Sequence, residues 1–207
     1  ISIFSYIFIN NNYDYFKFNL FWPIILVGFL FYLIGSSDDF LNLRPLPRLF
    51  SQFLFAFYIC SNGLIIERVD ISFLSFQYQF ISIPRSFSIL ITVIWIVGIT
   101  NSVNWIDGLD GLATGISLSI LLGILILSFL SGNVEVLILS CILTGSCLAF
   151  LIYNFFPAKI YLGDGGSYLL GFMISTLSLL SFINENTLLN PLLIILLVLH
   201  NLLFTQY

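Results

Sequence analysis

Long apolar runs, separated by short polar clusters, set the pattern of this chain. Seven runs approach the roughly 20 residues needed to cross a bilayer as a helix: 20–36, 49–66, 86–103, 112–131, 134–153, 166–184 and 188–205. No Asp, Glu, Lys or Arg falls in the middle of any of them. Charges lie in the connections or, as with Glu135, at the edge of a run, as their cost in hydrocarbon requires. Backbone polar groups in lipid must be bonded within their own segment, so these runs predict helices. A barrel would need short alternating segments, which the runs are not. The pattern predicts an all-α fold: a polytopic transmembrane helix bundle of about seven spans, in one integral-membrane domain covering 1–207. In the longest connection, 67–85, the stretch ISFLSFQYQFISI partly alternates apolar and polar residues before Pro84. That predicts a small β-hairpin lying on the membrane surface. Residues 1–9 (ISIFSYIFI) read like the tail of a helix, and the sequence stops at Tyr207, at the end of the last run. The expectation is a domain incomplete at both ends.

Composition sharpens this picture. The chain is 59% hydrophobic and 8% charged, with a mean hydropathy of +1.09, against about 25% charged residues in a soluble domain. The net charge of −4 leaves no basic footprint for nucleic acid. Cys60, Cys141 and Cys147 lie in apolar runs without metal-ligand spacing and read as small packing residues.

The connections carry the chemistry. Asp38 and Asp39 lie in GSSDDFLNLRP, Asp107 and Asp110 in NSVNWIDGLDGLATG, and Asp164 in YNFFPAKIYLGDGGSYLLG. These follow the first, third and fifth runs, so all five acids should meet on one side of the membrane. Basic residues do not orient the bundle: Arg44, Arg48 and Lys159 lie on the motif side, and Lys17, Arg68 and Arg85 on the other. Aspartates without His or Cys partners suit a hard cation such as Mg²⁺, which is held by one or two carboxylates plus substrate phosphates. The flanking glycines allow close backbone approach. GDGGS also opens a helix whose N-terminus could receive a phosphate. Together these suggest phosphoryl transfer at a membrane surface. Each motif has a plainer reading: a solvated helix end, a turn, a helix start. Their convergence in a chain with so few charges favours a site. Lys159 and Arg48 lie close enough in sequence to the acids to meet a substrate phosphate.

NSVNWIDGLDGLATG and NFFPAKIYLGDGGSYLLGF resemble the two most distinctive motifs of the polyprenyl-phosphate N-acetylhexosamine-1-phosphate transferases. GSSDDFLNL resembles their first acidic motif. The resemblance runs from about residue 24 to the end and is closest to the enzymes using UDP-GlcNAc and undecaprenyl phosphate. It implies transfer of N-acetylhexosamine 1-phosphate from a UDP-sugar to a polyprenyl phosphate, with release of UMP. It implies Mg²⁺, with Mn²⁺ as the alternative metal. It also implies a multi-pass protein of the bacterial plasma membrane with a cytoplasmic active site, which would make the hairpin periplasmic. A homodimer is a further expectation. By resemblance, Asp164 is the principal metal ligand, and Asp38 is the base or polyprenyl-phosphate partner supported by Asp39. Asp107 and Asp110 shape the metal and nucleotide site. Asn104 holds an amide position, and Tyr161 stacks on uracil.

The pentapeptide transferase of peptidoglycan synthesis is the nearest alternative, but it typically has lysine where this chain has Asn42. CDP-alcohol phosphotransferases would need Arg after the DG of the second motif, where Leu112, Ala113 and Thr114 stand. A transporter would place ionisable groups near mid-membrane. An inactive fragment acting only as a membrane or partner-binding piece is the remaining alternative.

Overall fold

A computed structural model describes residues 15–70 and 80–183. Six helices follow one another: α1 (Tyr15–Leu41), α2 (Pro45–Ser61), α3 (Arg85–Ile106), α4 (Leu112–Ser131), α5 (Val134–Asn154) and α6 (Gly163–Ile183). Between α2 and α3, β1 (Arg68–Asp70) and β2 (Phe80–Ser82) pair antiparallel, with Arg68 opposite Ser82 and Asp70 opposite Phe80. The rest of the expected hairpin, 71–79, lies outside the described residues, as do 1–9 and the seventh run, 188–205.

Among the described residues, four helices are long and apolar enough to cross a membrane: α1 over Leu20–Leu41, α3, α4 and α5. The chain is a multi-pass membrane protein. At 17 residues, α2 is shorter than its expected run. Long enough at 21 residues, α6 is diluted by Ser167, Ser175, Thr176 and Ser178, all buried. Their neighbours explain why that is tolerated. In the bundle interior, Ser175 and Thr176 donate back to the Phe172 carbonyl at 2.7 and 2.9 Å, and Ser178 donates to Ser175 O at 2.6 Å. Ser178 Oγ also accepts from Trp95 Nε1 of α3 at 3.1 Å. Such pairing removes most of the cost of a hydroxyl away from water.

The central position of α6 shows in the core. On one side Tyr168, Phe172 and Met173 pack with Ile24, Val27 and Phe31 of α1, Ala56 and Ile59 of α2, and Val93 and Ile96 of α3. The Phe31 and Phe172 rings stack at 4.8 Å. On the other side Leu170, Ile174 and Leu177 pack with Val103 of α3, Ile120, Leu121 and Ile124 of α4, and Val136 of α5. Glycine lets the backbones touch. A Cβ on Gly35 would lie 2.2 Å from Asp164 O, and one on Gly171 would lie 2.6 Å from Thr100 Cα. Trp22, Phe29, Phe57, Ile94 and Ile142 are exposed, as lipid-facing side chains would be.

Helix ends extend past the apolar runs, and this corrects three expected boundaries. The 37–48 connection shrinks because α1 continues to Leu41, so Asp38 and Asp39 occupy its last turn rather than a loop. The chain leaves α1 at Asn42, whose φ is 48°. Asn104 lies inside α3 and Asp164 in the first turn of α6. Hydropathy marks where the bilayer is, and polar helix turns can protrude beyond it.

Candidate active site

Connection parity brings the C-terminal ends of α1, α3 and α5 and the N-terminal ends of α2, α4 and α6 to one side. At the end of α1, two adjacent carboxylates have different surroundings. Asp38 is 7% exposed. Its Oδ1 accepts from Leu43 N at 2.8 Å, and its Oδ2 is ion-paired with Arg48 Nη1 from the first turns of α2. Asp39 is exposed and reaches across to α6, accepting from Asp164 N at 2.9 Å and Gly165 N at 3.1 Å. The sequence suggested a phosphate at that helix N-terminus. In the structure the Asp39 carboxylate holds those amides, a favourable place for an anion. Gly163 makes the contact feasible: its φ is +68°, and a Cβ there would sit 2.9 Å from Asp39 Oδ2.

Asp164 is held from both sides. Its Oδ1 accepts from Asn104 Nδ2 of α3 at 2.7 Å, and its Oδ2 faces Arg48 Nη1 at 3.4 Å. The Asn104 amide also lies 2.9 Å from Ser167 Oγ. Asp107 caps the end of α3. Its carboxyl is pushed up to about 6, first by burial and then by the charges of Asp164 and Asp39. Asp38 and Asp164 thus flank the Arg48 guanidinium, while Asp39 lies on the Asp164 amide and Asp107 lies within the field of Asp164 and Asp39, an excess of negative charge that suits a cation.

Asp110 does a different job. Its Oδ2 accepts from Ala158 N at 3.0 Å and ties the α3–α4 turn to the α5–α6 loop. Asn154, buried at the end of α5, fixes the same loop. It accepts from Thr114 Oγ1 and donates to Ile160 O, each at 2.9 Å. The loop carries Lys159 and Tyr161. Both are exposed, Tyr161 at 74%. Lys159 stands outside the two Arg48 ion pairs.

Among the described residues, no group of three or more His, Cys, Asp or Glu side chains is arranged to hold a metal ion. The oxygen donors fit Mg²⁺ in its usual manner, with one or two carboxylates and the rest of the shell from phosphates and water. The charge of Asp164 disfavours the charged form of Asp107, and a cation held between them would relieve that.

Residues 21–182, which contain all of these groups, match the model of Glycosyl transferase family 4. The chain belongs to that family. Glycosyl transferase family 4 relatives include the "Probable undecaprenyl-phosphate N-acetylglucosaminyl 1-phosphate transferase" of Bacillus subtilis strain 168. It is 42% identical over 167 residues, covering 79% of this chain and 45% of the relative. Phospho-N-acetylmuramoyl-pentapeptide-transferases of Staphylococcus aureus strains JH9 and Newman are 36% identical over 172 residues, covering 76% of this chain and 53% of each relative. The chain spans about half the length of these curated relatives.

Of the residues singled out from sequence, Asp38, Asp39, Asp107, Asp164, Asn104 and Arg48 come together. Asp110 and Tyr161 belong to the adjoining loop pair, as does the exposed Lys159. Asn154, Ser167, Gln52, Asn101 and Tyr168 were not anticipated. Asn101, Asn154, Ser167 and Tyr168 lie within the acidic motifs, which is the signal that could have found them, whereas Gln52 lies in an apolar run.

Proposed function

We propose that the protein transfers N-acetylhexosamine 1-phosphate from a UDP-sugar, UDP-GlcNAc being the first candidate, to a polyprenyl phosphate. The reading is supported by four carboxylates from three separated motifs that cluster at the end of a membrane helix bundle, Asp38 and Asp164 at Arg48 and Asp39 and Asp107 beside Asp164. In this reaction a phosphate oxygen of the lipid bonds to the β-phosphorus of the donor. The bond from that phosphorus to the bridging oxygen breaks, and UMP departs with the oxygen. Positioning and charge neutralisation dominate such chemistry.

Asp164 and Asp107 are the residues proposed to hold Mg²⁺, which when bound would neutralise the diphosphate. Asn104 orients Asp164 through its 2.7 Å hydrogen bond. Arg48 is placed to meet a substrate phosphate. Asp38 has both oxygens engaged, by Leu43 N and by Arg48, which suits orienting Arg48 more than removing a proton. Asp39 fixes the start of α6 beneath Asp164. Asp110 and Asn154 hold the loop from which Tyr161 offers a ring to uracil, and Lys159 is free to meet the diphosphate from solvent. On this reading the site faces the cytoplasm of a bacterial inner membrane, and the product starts an envelope glycan.

The S. aureus relatives favour a second reading, transfer from a UDP-muramoyl-pentapeptide. UMP release from a panel of UDP-sugars, with Mg²⁺ and undecaprenyl phosphate, tests both in the full-length protein. Release with UDP-GlcNAc supports the first reading and release with the pentapeptide donor alone supports the second. No release from any donor overturns both.

A further inference from the structure

Directly beneath the Asp164 site lies a second polar layer. Gln52 is four residues on from Arg48 in α2, Tyr168 four on from Asp164 in α6, and Asn101 three before Asn104 in α3. Residues three or four apart share a helix face. Because α2 and α6 start at the site and α3 ends there, each member lies one turn deeper than a group that forms the site. Gln52 and Tyr168 are fully buried. Asn101 Nδ2 donates to Gln52 Oε1 at 2.6 Å and to Val97 O at 2.8 Å. Gln52 faces the Tyr168 hydroxyl closely enough to act on it as a hydrogen-bonding neighbour, though the contact of that hydroxyl with Gln52 Nε2 falls outside ordinary hydrogen-bond geometry. The Tyr168 ring lies under the guanidinium of Arg48, 5.8 Å from its Cζ. That is within the range of a cation–π contact, which strengthens away from water. Polar groups buried without full pairing are costly in a membrane bundle, and a layer meant only to fill space would be apolar.

We propose that Gln52, Asn101 and Tyr168 form a positioning layer that holds Arg48 and Asn104 against Asp164. Its catalytic consequence rests on the transferase reading; its effect on Arg48 does not. The layer fixes the helices from which Arg48 and Asn104 reach the two oxygens of Asp164, and the Tyr168 ring limits where the guanidinium can settle. The ring is what meets the guanidinium, and the hydroxyl makes no hydrogen bond of ordinary geometry, so Phe is expected to serve in place of Tyr.

Two readouts test this in the full-length protein. The first is residue-resolved phenylglyoxal labelling of Arg48 by mass spectrometry, with exposed Arg44 as reference. Arg48 should label about two- to fivefold faster in Tyr168→Leu, as expected for loss of a partly desolvated cation–π contact, and at the parent rate in Tyr168→Phe. Unchanged labelling in Tyr168→Leu, or equal acceleration in Tyr168→Phe, overturns the proposal whether or not the protein releases UMP. If Tyr168→Leu does not fold, Gln52→Met, similar in shape, tests the layer through its Asn101 bond: Arg48 should label faster than in the parent, and an unchanged rate overturns the proposal. The second readout is a double-mutant cycle on UMP release. Tyr168→Leu should lower turnover about three- to tenfold in the parent and add nothing in an Arg48→Met background, because partners in one network are not additive. Losses that add in full would mean that Tyr168 is only core packing.

Discussion

The crossing of α1 over the start of α6 is tight enough to be tested with one methyl group. An alanine Cβ at Gly35 would lie 2.2 Å from Asp164 O and 2.4 Å from Asp164 C. These are backbone atoms and cannot rotate away. Ordinary contact begins at 3.4 Å, so the two helices must separate by more than 1 Å at the residue that both Arg48 and Asn104 hold. Overpacking of this kind costs about 1–3 kcal/mol, and a displacement near 1 Å at a reacting centre lowers turnover on the order of 10²-fold. Gly28 provides the control. It lies two helical turns away on α1 and faces the same partner, but a Cβ there meets only side-chain atoms of Leu169 and Phe172 at 3.4 Å. Gly28→Ala should stay within about 1 kcal/mol of the parent, helped by the better helix propensity of alanine. Thermal unfolding in detergent and UMP release should therefore separate the two variants clearly. If Gly35→Ala melts and turns over like Gly28→Ala, the α1–α6 crossing described above is wrong.

Asp164→Asn should remove most transferase activity while leaving unfolding unchanged, since an amide is a poorer Mg²⁺ ligand; near-parent turnover with the same metal dependence counts against the assignment. Tyr161→Phe should be nearly silent, whereas Tyr161→Ala should weaken UDP-sugar binding by about 1–3 kcal/mol, as for base stacking on aromatic rings. Equal donor binding by the parent and Tyr161→Ala, measured directly, would make Tyr161 an interfacial anchor instead. Asp39→Ala should cost about 0.5–2 kcal/mol in unfolding, the range for losing a helix-capping acceptor, because Asp164 N and Gly165 N lose their partner; an unchanged midpoint would show that water serves those amides equally well.

The division of the chain into apolar runs predicted the order of the helices, and connection parity predicted that the acidic motifs share a side. Both depend on the bilayer, which imposes its thickness on every span. The roles of individual acids were less accessible. Asp38 and Asp39 are adjacent in GSSDDF, yet one pairs with Arg48 and the other caps α6, a distinction created by helix rotation and by the approach of α6. Asp110 looked equivalent to Asp107 within DGLDG but binds Ala158 N, a partner 48 positions away. Gln52 gave no signal at all, because one polar residue in an apolar run reads the same whether it lines a site or fills a core, and Tyr168, though it stands within GDGGSYLLG, read as the first apolar residue of a span. The tight contact at Gly35 was equally hidden, since glycine also ends helices and forms turns.

Transfer of sugar together with its phosphate is the central claim, and UDP-GlcNAc carrying ³²P at the β-phosphate tests it most directly. With undecaprenyl phosphate, Mg²⁺ and the full-length protein, the label should move into the lipid phase and unlabelled UMP should accumulate. Label left in the aqueous phase as UDP, with sugar alone on the lipid, would contradict it.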